Sequence, residues 1–260
     1  MIDHHIHLGK DALTGFSLSE EMVTKRLDKF HLGGAVVFSC PNISYTNENP
    51  YSKNNKKVYK SSIDEKKFIP FMFVHPLLDR FGYIEREQEK FKGFKFYPRA
   101  VSMEYHYKDI SNRRIIDLVS ESSKPAVFHT GFREGSRIKD LVWMMKRKKS
   151  PLVFVHSGDL IERDLKIASK YENVFIDISP LATMISKNFF INSNRRHPNL
   201  KILTPKNILS HLKNLFGIER IVWGSDSPWC DNLINEGYNE EIKISRVMDK
   251  EGFNKSYLDF

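Results

Sequence analysis

Ile2-Asp3-His4-His5-Ile6-His7-Leu8-Gly9-Lys10 opens the chain, and its reading decides between two parallel-sheet folds. The stretch reads as a β-strand, in which alternate side chains share a face. His5 and His7 then project together, with Asp3 expected on their side and His4 and Ile6 on the other. Two imidazoles on one strand face can grip a divalent cation, zinc or a similar borderline metal. The bland alternative is an exposed strand end. The turn matters too: an open doubly wound sheet normally carries a glycine-rich first turn, and His7-Leu8-Gly9-Lys10 is not one.

Working outward, strands and helices alternate. A helix is expected to about Phe30, capped at Ser17 with Glu20 as its capping-box partner and ended by Gly33-Gly34. Short apolar strands are then expected at 35–38, 68–74, 93–98, 124–131, 151–158, 174–179 and 220–226. Helices are expected near 83–91, 110–122, 138–148, 160–171, 205–216 and 239–250. A loop rich in Asn, Tyr and Lys covers 42–57 and leads into a polar helix. A longer loop covers 180–203. Thr204-Pro205 starts its helix with a cap and a first-turn proline. Continuous apolar runs bounded by Gly and Pro are the mark of strands buried on both sides. Their alternation with helices implies a parallel sheet with right-handed crossovers. Eight such units in one domain, 1–260, predict a (β/α)8 TIM barrel.

Composition narrows the function classes. The chain has 41 Lys and Arg against 32 Asp and Glu, a formal net charge of +9. That balance suits a nucleic-acid partner, an anionic substrate or a lysine-rich surface. The basic residues are scattered except for Lys146-Arg147-Lys148-Lys149, which suits the dipole of a helix C-terminus, so a solvated face is favoured. Two cysteines, Cys40 and Cys230, make no disulfide framework. No apolar run is long enough to span a bilayer, and the N-terminus lacks the basic region of a signal peptide. A cytoplasmic protein with no membrane partner is therefore expected, and a homo-oligomer is compatible with it.

In such a barrel the active site lies at the C-terminal ends of the strands. The residues expected there are His5 and His7 on the first strand, His129 on the fifth, His156 on the sixth and Asp226 on the eighth. All are metal-ligand or proton-transfer types, and closure would set the first and eighth strands side by side. His5, His7, His129 and Asp226 would make a metal shell completed by water.

Five motifs carry a family resemblance: Asp3-x-His5-x-His7, Gly93-Phe94-Lys95-Phe96-Tyr97-Pro98, His129-Thr130-Gly131, His156-Ser157-Gly158 and Gly224-Ser225-Asp226-Ser227-Pro228-Trp229. In them the chain resembles the amidohydrolase superfamily of metal-dependent barrels. Within it the chain is most similar to the branch containing aminocarboxymuconate-semialdehyde decarboxylase. The first and last motifs are the specific ones. The resemblance implies that His5, His7 and His129 bind metal and that Asp226 binds metal and partners its water. It implies that His156 binds a second metal, acts as acid/base or touches substrate. The branch often has two glycines after this histidine, where the chain has Gly158-Asp159. In some relatives a strand-four lysine is carbamylated and bridges two metals; Lys95 is read instead as touching substrate or a ligand.

The expected function is a hydrolase holding one divalent cation, Zn2+ with Mn2+ or Fe2+ as substitutes. Metal-activated water would attack a lactone, amide or ester, with Asp226 and His156 as the catalytic pair. The substrate is expected to be a small anion. Lys95, Arg99 and Arg133 would meet its carboxylate, with Arg137 on the same rim, and Tyr97 and Trp229 would wall the pocket. Asp177 suits either a support for a ligand or a buried structural carboxylate. The same site would also serve a non-oxidative decarboxylase. A TatD-like nuclease is disfavoured because those barrels carry a glutamate where this chain has Lys95. A barrel that only binds metal is disfavoured because every candidate catalytic residue is present.

Overall fold

The computed structural model describes residues 1–12, 14–41, 48–99, 104–131, 133–189, 204–253 and 256–259. Among these residues nine strands form one sheet: β1 (Ile2–Lys10), β2 (Ser17–Leu18), β3 (Gly34–Ser39), β4 (Phe68–Val74), β5 (Gly93–Phe96), β6 (Ala126–His129), β7 (Leu152–Val155), β8 (Val174–Asp177) and β9 (Ile221–Val222). Their order is β2-β1-β3-β4-β5-β6-β7-β8-β9. β2 runs antiparallel to β1; the other eight strands are parallel in chain order and correspond to the eight read from the sequence.

The two ends of the parallel run meet. His4 N–H donates to Trp223 O (3.1 Å), Asp226 N–H to His5 O (2.8 Å) and His7 N–H to Ser227 O (2.8 Å). An isolated parallel bridge pairs Ile6 with Ser227. Gly224 permits this approach, because a Cβ there would lie 2.5 Å from His5 Cβ.

Side-chain alternation sorts the apolar residues into two clusters. Ala35, Val37, Phe94, Phe96, Phe128 and Phe154 pack toward the helices. Val36, Phe38, Phe71, Phe73, Val127, Val153, Phe175 and Val222 fill the opposite face of the sheet, joined by Tyr257 from the C-terminal segment. The registers Phe73↔Lys95, Lys95↔Val127, Val127↔Val153 and Val153↔Phe175 place Lys95 on this inner face.

The strict alternation expected of β1 fails at its start. Asp3 lies opposite Ala35 and Ile6 opposite Val37, so β1 carries one extra residue between them. This bulge turns Asp3 to the outer face, where Tyr238 OH donates to its Oδ2 (3.2 Å). His4 packs on Tyr257 of the inner cluster instead (centroids 4.8 Å). His5 and His7 keep their common face.

Other boundaries shift for local reasons. The first helix is Glu20–Phe30, capped by Ser19, whose Oγ accepts from Met22 N–H (3.2 Å); Ser17 is spent on β2. The stretch expected as loop from 180 contains a helix, Leu181–Ser186, whose first turn is met by a glutamate from a distant helix: Glu241 Oε1 accepts from Thr183 N–H (3.0 Å). Residues 190–203 of that expected loop, and 42–47 of the earlier one, lie outside the described residues. Thr204 caps helix Pro205–Phe216 as expected, accepting from Asn207 N–H at 3.2 Å. Among the described residues no helix is long and apolar enough to cross a membrane.

Candidate metal centre

His5 Nδ1 meets Asp177 Oδ2 and Ser179 Oγ, each at 2.8 Å. His7 Nδ1 meets Ser39 O at 2.9 Å. A carbonyl only accepts, so His7 Nδ1 carries the proton; the Asp177 carboxylate fixes His5 in the same way. Both Nε2 atoms therefore present lone pairs. They face each other at 3.1 Å, with Asp226 Oδ1 3.3 Å from His5 Nε2 and 3.6 Å from His7 Nε2. Two neutral acceptors and a carboxylate oxygen in one buried spot repel each other unless a positive centre lies among them. These three residues bring their ligand atoms within 4.8 Å of one another. The donor set fits a divalent cation of the zinc kind.

Lys95 supplies part of the positive charge: its Nζ, fully buried, donates to His5 Nε2 (3.1 Å) and lies 4.7 Å from the Phe38 ring centre. Burial pulls its ammonium down to about 8, against the Asp226 and Asp177 carboxylates that favour the charge. Burial, aided by Lys95, holds His5 and His7 well below the usual imidazole range, which keeps them neutral as ligands. Burial pushes the Asp226 carboxyl well above its ordinary range, with Lys95 opposing; a bound cation would favour the carboxylate.

His129 and His156 form a second pair beside the first. His156 Nδ1 donates to Ser179 O (2.7 Å), and its Nε2 meets His129 Nδ1 (3.0 Å). That order of protons leaves the His129 Nε2 lone pair available. The His5 and His156 rings stack at 5.6 Å. His129 stands outside the group of three ligand residues, although it is held from two sides: its ring stacks on Tyr97 (3.9 Å), and Tyr107 OH donates to its carbonyl (2.7 Å). Burial holds His156 near 4, mainly, with Lys95 adding to the effect. The Gly158-Asp159 departure coincides with a left-handed backbone turn, His156 to Leu160 all having φ between 49° and 60°. L-residues resist that conformation, so strain is stored next to His156.

The remaining sequence candidates divide. Trp229 packs edge-on to His7 (4.7 Å) and Tyr97 lines the His129 side, so both wall the centre. Arg99 Nε donates to Glu104 Oε1 (3.0 Å). Arg137 is held by Asp164 through two bonds (3.1 and 2.7 Å), and Arg133 is exposed. Asp177 makes both kinds of contact: Oδ2 meets His5 Nδ1 (2.8 Å) while Oδ1 accepts from the backbone Ser179 N–H (2.7 Å). Ser179 and the Ser39 carbonyl were missed. Their alignment with the ring nitrogens depends on strand register, for which neither residue type carries a signal. His75, expected in a loop, is fully buried after β4, its N–H donating to Asp79 (2.7 Å).

The family model described as Amidohydrolase matches residues 83–245, more than half of the chain. The chain belongs to the amidohydrolase family. No curated protein matches it in sequence. Among solved structures it is similar to an amidohydrolase from Burkholderia multivorans with bound zinc, at 15% identity and TM-score 0.69 over 98% of this chain and 92% of that one. It is similar to 2,6-dihydroxybenzoate decarboxylase in complex with 2,6-dihydroxybenzoate, at 11% identity and TM-score 0.60 over 97% and 98%. It also resembles a probable 2-pyrone-4,6-dicarboxylic acid hydrolase from Acinetobacter baumannii with citric acid bound, at 13% identity and TM-score 0.60 over 96% and 92%. At these identities the likeness concerns the fold. Family membership makes the chain an enzyme of the amidohydrolase kind.

Proposed function

We propose that this protein is a metal-dependent hydrolase on a closed (β/α)8 barrel, acting on a lactone, amide or ester of a small carboxylate-bearing molecule. The observation that carries the reading is the 3.1 Å approach of two acceptor nitrogens, His5 Nε2 and His7 Nε2, beside Asp226 Oδ1. The main-chain bonds between β1 and residues 223–227 support closure of the barrel. His5, His7 and Asp226 would hold one cation, with the His129 Nε2 lone pair as fourth donor; Zn2+ fits this set, with Mn2+ or Fe2+ as substitutes. When bound, the cation supplies a water of near-neutral pKa and polarises the substrate carbonyl.

The chain's own groups do the rest. The Asp226 carboxylate accepts a proton from the attacking water and passes it to the leaving group. His156, kept neutral by burial, orients or relays a proton through the Nε2 that it now shares with His129. Lys95 donates to a substrate oxygen from the inner face. Arg133, and Arg99 once it releases Glu104, meet the substrate carboxylate, while Tyr97 and Trp229 exclude water.

Decarboxylation of an unsaturated or aromatic acid on the same residues is the second reading, favoured by the likeness to 2,6-dihydroxybenzoate decarboxylase. Metal analysis of wild type and His7→Ala, with parallel assays of lactone hydrolysis and carbon dioxide release, tests both. The expected result is about one ion per wild-type chain, little in the variant, and hydrolysis without carbon dioxide. Carbon dioxide release would select the second reading. Full activity in metal-stripped protein would refute both.

A further inference from the structure

Three side chains outside the centre converge on the loop that carries Asp226. Arg26, on helix Glu20–Phe30, donates through Nη1 and Nη2 to the two carboxylate oxygens of Asp231, both at 2.9 Å. Its Nη1 also donates to Ser227 Oγ (2.7 Å), and Ser227 Oγ donates to Asp231 Oδ2. The pair is largely buried, its side chains 17% and 21% exposed. Such a two-pronged guanidinium–carboxylate pair is geometrically specific and stiff.

What the pair grips is the hinge of the ligand set. Ser227 follows Asp226 directly, and its carbonyl accepts from His7 N–H (2.8 Å). Its N–H donates to Ser225 Oγ (3.2 Å), and Ser225 N–H donates to Asp3 Oδ1 (2.9 Å). Asp3 Oδ1 also accepts from His5 N–H (3.1 Å). Asp3 is tied back to the clamp through Tyr238, whose ring lies 4.4 Å from Arg26 Cζ. The backbones of His5, His7 and Asp226 thus hang on one outer network. Asp226 itself has φ 55°, in the left-handed region that aspartate adopts more readily than most side chains.

We propose that Arg26, Asp231 and Ser227 are positioning residues that set the cation affinity of the centre from outside it, an inference that rests on the metal-centre reading above. A plain structural staple would contribute stability alone. A positioning clamp must also change affinity in protein that remains folded, because ligands a few tenths of an ångström out of place bind a cation less well.

The test is Zn2+ affinity, read by competition with a chromophoric chelator, in wild type, Arg26→Met, Asp231→Asn and Ser227→Ala, each checked for folding by circular dichroism. Lys148→Met is the control. Its Nζ donates to Val119 O (2.7 Å) and Ser122 O (2.8 Å), before β6 at the other end of the strands. Arg26→Met and Asp231→Asn should each weaken Zn2+ binding roughly tenfold or more, and the double variant little further. Lys148→Met should lose thermal stability and keep its affinity. Ser227→Ala, which leaves the ion pair intact, should fall between and serves if the other variants do not fold. Affinities within twofold of wild type in the folded clamp variants would overturn the proposal. His7→Ala binding Zn2+ as wild type does would instead overturn the metal reading beneath it.

Discussion

Glu241 offers a test that needs no substrate. Its carboxyl is fully buried between its own helix, Gly237–Lys250, and helix Leu181–Ser186; Oε1 accepts from Thr183 N–H (3.0 Å) and Oγ1 (3.2 Å), while Oε2 has no hydrogen-bond partner among the described residues. Burial pushes its pKa from 4.5 to about 8, against the pull of the Thr183 and Ala182 amides. The folded protein thus keeps a proton that the unfolded chain releases, and stability must fall as pH rises between those values. Its contribution is fully present below 4.5 and lost as pH passes 8. From pH 5 to 8 the loss from this group alone is roughly 3.5 kcal/mol, using about 1.4 kcal/mol per pKa unit. That corresponds to roughly 6–10 °C in Tm for a chain of this length. Glu241→Gln keeps the shape and both Thr183 bonds but cannot titrate. Asp3 and Asp79, each raised to about 7 by burial, slope the same way, and the depressed histidines slope the other way below their unfolded pKa. The readout is therefore the difference between wild type and variant in urea unfolding, followed by tryptophan fluorescence at several pH values from 5 to 8. The variant should gain on wild type by a few kcal/mol across that range. Parallel stability curves would refute the argument that Glu241 folds as a neutral acid.

Asp177→Asn should weaken Zn2+ binding by about 10–100-fold with little loss of fold, since it removes the acceptor that fixes His5; chelator competition reads it. His156→Asn should keep the metal and lower kcat by about 10²-fold or more, checked by metal analysis beside turnover; unchanged turnover would leave it a structural role. A panel of acids and their methyl esters should show the acids preferred. Loss of the correct arginine, in Arg99→Met or Arg133→Met, should cost about 1.5–3 kcal/mol in kcat/KM for acids and little for esters.

The residues of the centre could be read from the chain because His5 and His7 have strand spacing and the others are uncommon types closing short apolar runs. His129 and His156 stand out after Val-Phe and Phe-Val, Asp226 follows Ile-Val-Trp-Gly-Ser, and period-two alternation suffices to put His5 and His7 together. The same alternation misplaces Asp3, because a bulge is a matter of pairing with β3 and leaves no mark in the residues of β1. Helix Leu181–Ser186 was unreadable for a different reason: its first turn is satisfied by Glu241, far along the chain, so no local cap announces it. Ser17 and Ser19 are equally good caps by type, and only the pairing of Ser17 with Lys10 chooses between them. The role of Asp177 likewise waits on the register that brings β8 beneath His5.

The join between β1 and residues 223–227 has a consequence for how the protein is made. Its partners lie almost a chain length apart, Asp3 and Ser225 being separated by 222 positions. On the ribosome the first strand is finished long before its last neighbour exists, so one edge of β1 waits unpaired through most of translation, as a hazard for association with other chains. Closing so long a loop costs on the order of 5 kcal/mol in chain entropy. His5 and His7 stand on one lip of this seam and Asp226 on the other, so a cation held as proposed above would act there as a clasp. Loading would then follow synthesis of residues 223–227, and the amides of His4, His7 and Asp226, which bridge the seam, should exchange their hydrogens sooner in metal-stripped than in loaded protein.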